Sequence, residues 1–261
     1  MISATAPRQV AHDRPWAWLA AGWRDLWASP VAGLAHGLAL AAGGWAIALL
    51  AQRAATLWAI LPATAGFLLI APLLAAGLYE ISRRRALGLP TDARAILGRL
   101  AQRGTQLGLL GGALLLLHLF WLRLATLVFA LCLGTGFAPP IDGLPLALLR
   151  APGLVPFLVL GTGGGLLIAT LAFCTAAFAA PMLLDRDISA AEAIIASWQA
   201  VLRNPRPMAL WAGLIVLFTG LALVPFFLGL AVALPLVGHA TWHAYADVFP
   251  VEGKTGDRPE G

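Results

Sequence analysis

The chain's acid–base and metal-binding chemistry rests on five His, 12 acidic residues and two Cys among 261 residues. His239 and His243 stand four positions apart, so on a helix both side chains face one way. Imidazoles in that register can hold a metal or haem, or simply hydrogen-bond at an interface. His36 opens the first long apolar run. Glu80, followed by Arg83 and Arg84, closes the second, and Asp185-Arg186-Asp187 closes the fourth. His36, Glu80, Asp185, Asp187, His239 and His243 therefore form a candidate polar cluster at one common end of the apolar runs. Arg123 lies inside the third run, and a charge within a membrane is costly enough to be a functional candidate by default. Counted from Gln106 at about 1.5 Å per residue, it lies about 25 Å along a helix, close enough to the far surface for its side chain to snorkel. No catalytic residue is assigned, because no G-x-S-x-G, H-E-x-x-H or Walker loop occurs. Cys132 and Cys174 both fall in apolar runs, form no C-x-x-C pair and read as small core residues.

The elements that must position these groups follow from composition. Apolar residues make up 60% of the chain and charged ones 11%, and mean hydropathy is +0.85. A soluble domain carries about 25% charged residues, so an ordinary globule, a disordered chain and a coiled coil are excluded. Runs of about 20 apolar residues are long enough to span a bilayer. They occur at 31–51, 54–79, 107–133 and 154–184, and the uncharged stretch 208–246 holds two more, at 208–224 and 226–246, with Pro225 as the break. Three half-polar segments lie between them, at 14–28, 92–103 and 190–203, each with apolar residues at helical spacing. In the first, Trp16, Leu19, Trp23, Leu26 and Trp27 share a face, with Arg24 and Asp25 opposite. In the last, Ile194, Ile195, Trp198, Val201 and Leu202 form the stripe, and Ser189 with Glu192 makes a capping box. These segments read as amphipathic helices lying in the interface, with Trp16, Trp23, Trp27 and Trp198 as anchors. The expected fold is an all-α polytopic membrane bundle of six transmembrane and three interfacial helices. It forms one domain over 14–247, between flexible tails at 1–13 and 248–261. The polar start of the chain reads as no signal peptide.

The pieces suggest a threefold internal repeat of amphipathic helix plus spanning hairpin. Trp23 precedes Pro30 by seven positions, as Trp198 precedes Pro205. The middle unit fits worst, lacking both the Trp and the linker Pro. With a cytoplasmic N-terminus, 14 of the 17 basic residues fall in inner segments and only Arg53 and Arg150 in outer loops. That bias sets both termini inside a bacterial inner membrane. The basic balance is thus a topology signal, not a nucleic-acid footprint, and the Arg83–Arg85 run is read the same way rather than as an anionic-lipid site. Gly104, Gly108, Gly112, Gly161, Gly163, Gly164 and Gly165 read as small-residue faces where helices approach closely, within the chain or with other membrane proteins.

The Trp16-Ala-Trp-Leu-Ala-Ala-Gly-Trp-Arg-Asp-Leu-Trp stretch, Gly77-Leu-Tyr-Glu-Ile-Ser-Arg-Arg, Pro181-Met-Leu-Leu-Asp-Arg-Asp and Gly238-His-Ala-Thr-Trp-His-Ala-Tyr carry a resemblance over nearly the whole chain. They resemble a proteobacterial family of predicted integral membrane proteins with a domain of unknown function, some labelled putative cytochrome c oxidase subunit. A haem–copper catalytic subunit needs about a dozen spans and six metal-binding His in set positions, so the resemblance implies at most an accessory or assembly role. Three functions compete. One is a non-catalytic protein that binds the lipid bilayer and membrane partners, with respiratory complexes as the candidate partners. Another is a small-solute or lipid transporter. The third is a membrane enzyme or cofactor binder using the inner-face His and Asp residues. No cofactor is assigned; haem or metal at His239 and His243 is the alternative.

Overall fold

A computed structural model describes residues 6–53, 71–137, 143–225 and 227–250. All regular structure among them is helical. The helices are α1 (Arg14–Ala28), α2 (Pro30–Arg53), α3 (Ala76–Ala86), α4 (Ala93–Gln102), α5 (Gly104–Leu133), α6 (Leu144–Arg150), α7 (Leu154–Ala176), α8 (Ala179–Asp185), α9 (Ala190–Arg203), α10 (Pro205–Leu223) and α11 (Leu230–Val248). Four candidate membrane spans stand out by length and hydropathy: Pro30–Leu50, Gly104–Leu133, Leu154–Asp185 and Pro205–Leu223. Most of the expected second span lies outside the described residues. The break expected at Pro225 falls between the end of α10 at Leu223 and the start of α11 at Leu230, where Phe227 has φ 67°.

The three amphipathic helices form at 14–28, 93–102 and 190–203. Local chemistry starts each one. Pro15 sits in the first turn of α1. The Asp92 carboxylate accepts from Ala95 N at 2.9 Å, and Ser189 and Glu192 close the expected capping box. A single residue separates each amphipathic helix from the apolar helix that follows: Ser29, Arg103 and Asn204. Ser29 (φ −139°, ψ 56°) and Asn204 (φ −125°, ψ 52°) share one conformation. Both precede a proline, whose ring disfavours helical ψ in the residue before it. Arg103 precedes Gly104 and stays nearer the helix, at φ −98° and ψ 3°.

The faces of these helices differ from expectation. On α9 the buried residues are Ala190, Ala193, Ala196, Ser197 and Ala200, while Ile195 and Leu202 of the apolar stripe are exposed. On α1, Trp18, Leu19, Gly22, Asp25 and Leu26 are buried, and Trp16, Trp23 and Trp27 point outward. Asp25 is thus not on a solvated face. It shares the helical spacing of Trp18 and Gly22, which carries it inward against α11.

The large core gathers at the Arg-rich end of the bundle. Phe178, Trp211, Trp242, Tyr245 and Phe249 are fully buried there with α8. Trp242, Tyr245, Phe249 and Phe178 form a column with successive ring centroids 5.3, 5.7 and 5.8 Å apart, and Trp18 meets Trp211 edge-on at 5.9 Å. A smaller cluster of Ala41, Ala222, Leu230, Ala233 and Leu234 holds the opposite part of α11.

Two features make the dense end possible. The first is close crossing of α1 and α11 at Gly22; Gly37 lets α2 approach the opposite part of α11 in the same way. A Cβ on Gly22 would lie 2.6 Å from Ala240 N, and one on Gly37 would lie 2.2 Å from Ala231 O. By contrast Gly104, Gly108, Gly112, Gly161 and Gly163 meet nothing within 4 Å. Of the expected glycine faces only Gly164 and Gly165 touch a helix, at Leu124 and Trp121 of α5. The second feature is a repaired break. Pro181 has no N–H to give the Ala177 carbonyl, and the chain turns at Ala177–Phe178 between α7 and α8. Ser197 of α9 fills the gap: its Oγ accepts from Phe178 N at 3.2 Å and donates to Cys174 O at 2.7 Å.

Residues 8–10, read from sequence as part of a flexible tail, are tied down. Arg8 N donates to Val248 O at 2.8 Å, and Asn204 accepts from Val10 N at 2.9 Å while donating to Arg8 O at 3.0 Å.

Candidate functional site

The six residues expected to cluster are distributed over separate networks at the Arg-rich end. The first joins α1, α3 and α11. Asp25 Oδ2 accepts from Ser82 Oγ at 2.6 Å and from His243 Nε2 at 2.8 Å, and Oδ1 accepts from Arg85 Nε at 3.2 Å. Ser82 Oγ also meets His239 Nδ1 at 2.8 Å. A hydroxyl has one proton. Given to Asp25, it leaves Ser82 to accept from His239 Nδ1–H, which fixes that tautomer. His239 Nε2 is then a bare lone pair, fully buried and without a hydrogen-bond partner among the described residues. Burial pushes the Asp25 carboxyl up. The hydrogen bonds from His243 and Ser82, with the nearby imidazoles, outweigh that effect and hold it at about 2.

The second network joins α3, α4, α8 and α11. Glu80 is fully buried and faces Arg83 at 3.4 Å and Arg84 at 3.5 Å. Burial raises the Glu80 carboxyl against the pull of Arg83, Arg99 and Arg84. Asp185 accepts from Arg83 Nε at 3.0 Å and from Tyr245 OH at 2.8 Å, and Arg186 Nε donates to Tyr245 OH at 3.1 Å. The Arg99 guanidinium donates to the Leu184 carbonyl at the end of α8.

The remaining residues stand apart. Asp187 pairs with Arg103 at the surface, and that bond lowers its carboxyl. His36 donates to the Leu74 carbonyl at 2.5 Å. Arg123 is exposed on α5, and Asp142, its nearest acid in sequence, lies outside the described residues. Trp23 and Trp27 meet edge-on at 5.5 Å on the outer face of α1, and Trp198 Nε1 donates to Thr175 Oγ1 at 3.2 Å. Among the described residues no three His, Cys, Asp or Glu side chains group as metal ligands would. His239 and His243 each spend a ring nitrogen on Ser82 or Asp25.

Sequence reasoning missed Asp25, Ser82 and Arg85, which hold the two His together, and Asp247, which accepts from Arg14 Nε at 2.7 Å and Trp18 Nε1 at 2.8 Å. Only Asp25 left a trace, its spacing from Trp18 and Gly22.

Residues 60–185 match the family described as Predicted integral membrane protein (DUF2189). The match bears out the resemblance to a membrane family with a domain of unknown function, and with the four long apolar helices it makes the chain an integral membrane protein. No curated protein and no solved structure matches the chain. The DUF2189 stretch covers just under half of the chain. It contains Glu80, Ser82, Arg83, Arg84 and Asp185, whereas Asp25, His239 and His243 lie on either side of it. Both networks are therefore built across the boundary of the matched segment.

Proposed function

We propose that this is a non-catalytic accessory or assembly protein of a bacterial inner membrane, with six spans and both termini cytoplasmic. The observation that carries this reading is how the inner-end polar groups are used. Asp25, Ser82, His239 and His243 are spent on one another, and Glu80, Asp185 and Tyr245 on neighbouring Arg, inside the densest part of the core. A reactive group would be wanted at a cleft with its partners free. Here the groups lock helices from both ends of the chain together. The one-residue links at Ser29, Arg103 and Asn204 support the threefold repeat, and the matching backbone of Ser29 and Asn204 supports an equivalence of its first and third units. The exposed apolar faces of α5 and α7, with the open glycines Gly108, Gly112, Gly161 and Gly163, are available to lipid or to a membrane partner. Respiratory complexes are the partner class that the family resemblance suggests.

The test has two parts. Single-cysteine labelling in a background lacking Cys132 and Cys174 should reach Gly88 and Gly253 from the cytoplasm and Gly143 from outside. Labelling of Gly143 only from inside overturns the orientation. Replacing His239 or His243 by Ala should lower thermal stability, with any phenotype lost only in proportion to folded protein. Loss of phenotype at unchanged stability and membrane level overturns the structural role and favours a membrane enzyme or cofactor site. Transport draws on the interrupted helices at Ala177–Phe178 and Val224–Gly229. Solute or lipid flux in proteoliposomes that scales with protein would establish it instead.

A further inference from the structure

Between the last turn of α3 and the amphipathic α4 lies an open cleft of about 530 Å³, within the size range of small-ligand sites. Arg83, Arg84, Arg94 and Arg99 line it, against Glu80 and Asp92. Both acids are already committed. Glu80 is fully buried beneath Arg83 and Arg84, and Asp92 caps α4 through Ala95 N. The cations are not matched in the same way. Arg94 is exposed, with no hydrogen bond or ion pair to any described residue. Arg84 gives Nε to the Pro90 carbonyl at 2.5 Å and reaches Glu80 only at 3.5 Å. Arg99 gives Nε and Nη2 to the Leu184 carbonyl, which leaves Nη1 for the cleft; burial, then Arg83 and Arg103, lower it against the pull of Glu80 and Asp185. Ala95, Gly98 and Gln102 complete the wall, so the cleft runs along the whole length of α4.

We infer that the α3–α4 cleft binds a phosphate group, with Arg84, Arg94 and Arg99 as its ligands and Arg83 holding Glu80 out of the way. Guanidinium forks suit phosphate oxygens, and a basic recess beside an interfacial helix lies at the depth of a lipid headgroup. The phosphate can come from an anionic phospholipid or from a free phosphate compound. Both make the same contacts.

The test uses the full-length protein in nanodiscs of phosphatidylcholine alone or with phosphatidylglycerol, and inorganic phosphate as the free probe. Arg94→Glu is the main variant. Arg94 is exposed and bonds to nothing described, so the variant should melt like wild type in phosphatidylcholine. Arg203→Glu, on α9, is the charge control. Lipid binding is read by native mass spectrometry, and phosphate binding by calorimetry. A phosphatidylglycerol preference that falls about tenfold in Arg94→Glu, and stays in Arg203→Glu, supports the site with a lipid ligand. Phosphate binding that is lost in Arg94→Glu, without lipid preference, supports it with a free one. Binding of neither probe, or equal loss in both variants, overturns the inference. These outcomes do not depend on whether the chain is an accessory protein, a transporter or an enzyme.

Discussion

The two ends of this bundle are built from similarly apolar helices yet pack very differently. At the Arg-rich end α8 is buried from Ala179 to Leu184, five large aromatics have no exposure worth counting, and charged groups from α1, α3, α8 and α11 interlock. At the other end Leu131, Leu149, Val155 and Val216 are each 69–74% exposed. The difference teaches where folding energy is specific. In lipid, exposed Leu and Val cost nothing, so apolar burial gives no reason to close that end. Polar groups must find partners in the same medium, and glycine lets backbones come near enough to supply them.

The largest expected effect comes from removing Asp25. Asp25→Ala leaves buried Ser82 and half-buried His243 without their acceptor and frees the exposed Arg85; with two partners partly solvated the cost falls at the low end for a buried charged network, about 3 kcal/mol. Arg123→Ala, at an exposed site towards the open end, should change stability by no more than about 0.5 kcal/mol. Thermal or denaturant unfolding in one detergent checks both. Equal effects would erase the contrast between the ends.

Gly22→Ala comes next. Its Cβ would press on the Ala240 and Leu236 backbone at 2.6 and 2.8 Å, and overpacking of this kind costs about 1–3 kcal/mol. Gly163→Ala, with open space around it, should be neutral or stabilise by about 0.5–1 kcal/mol, since alanine favours a helix. A stable Gly22→Ala protein would show that α1 does not seat on α11 as described.

Ser197→Ala sharpens the comparison within one helix. It leaves Phe178 N and Cys174 O without partners at the proline break, and an unsatisfied buried group costs about 1–3 kcal/mol. Hydrogen exchange should quicken around residue 178 and stay unchanged in the first half of α7. Uniform quickening would mean that the dense end does not unfold as its own unit.

The comparison also carries a pH dependence. The Asp25 carboxyl is held down at about 2, below an unfolded value of about 3.9. A depressed carboxyl contributes stability that is fully present above the unfolded value and is lost as pH falls through the folded one. Melting temperature should therefore carry a downward step between about pH 4 and 2 that Asp25→Asn removes. A wild-type step retained in that variant assigns it to other carboxylates.

Much of this architecture was legible in the chain itself. The helical spacing of 14–28, 92–103 and 190–203 and the Ser189–Glu192 box placed the three amphipathic helices within a residue of their observed limits, because these signals act over one or two turns; α6 (Leu144–Arg150) and the run of α3 on to Ala86 had no such signal. The faces of those helices were not legible. Hydrophobic periodicity separates water from everything else, but it cannot tell lipid from protein when both are apolar. That is why Ile195 and Leu202 point outward while Ala193, Ala196 and Ala200 pack inward. The candidate site was half legible for a related reason. His239 and His243 announce each other through i, i+4 spacing. Asp25, 218 positions from His243, becomes their partner only when α1 crosses α11 at Gly22. The sequence alone determined that the chain is helical and apolar enough to enter a bilayer. Only the tertiary structure decided which polar groups meet, because a partner for a buried charge is chosen by which backbones can come close.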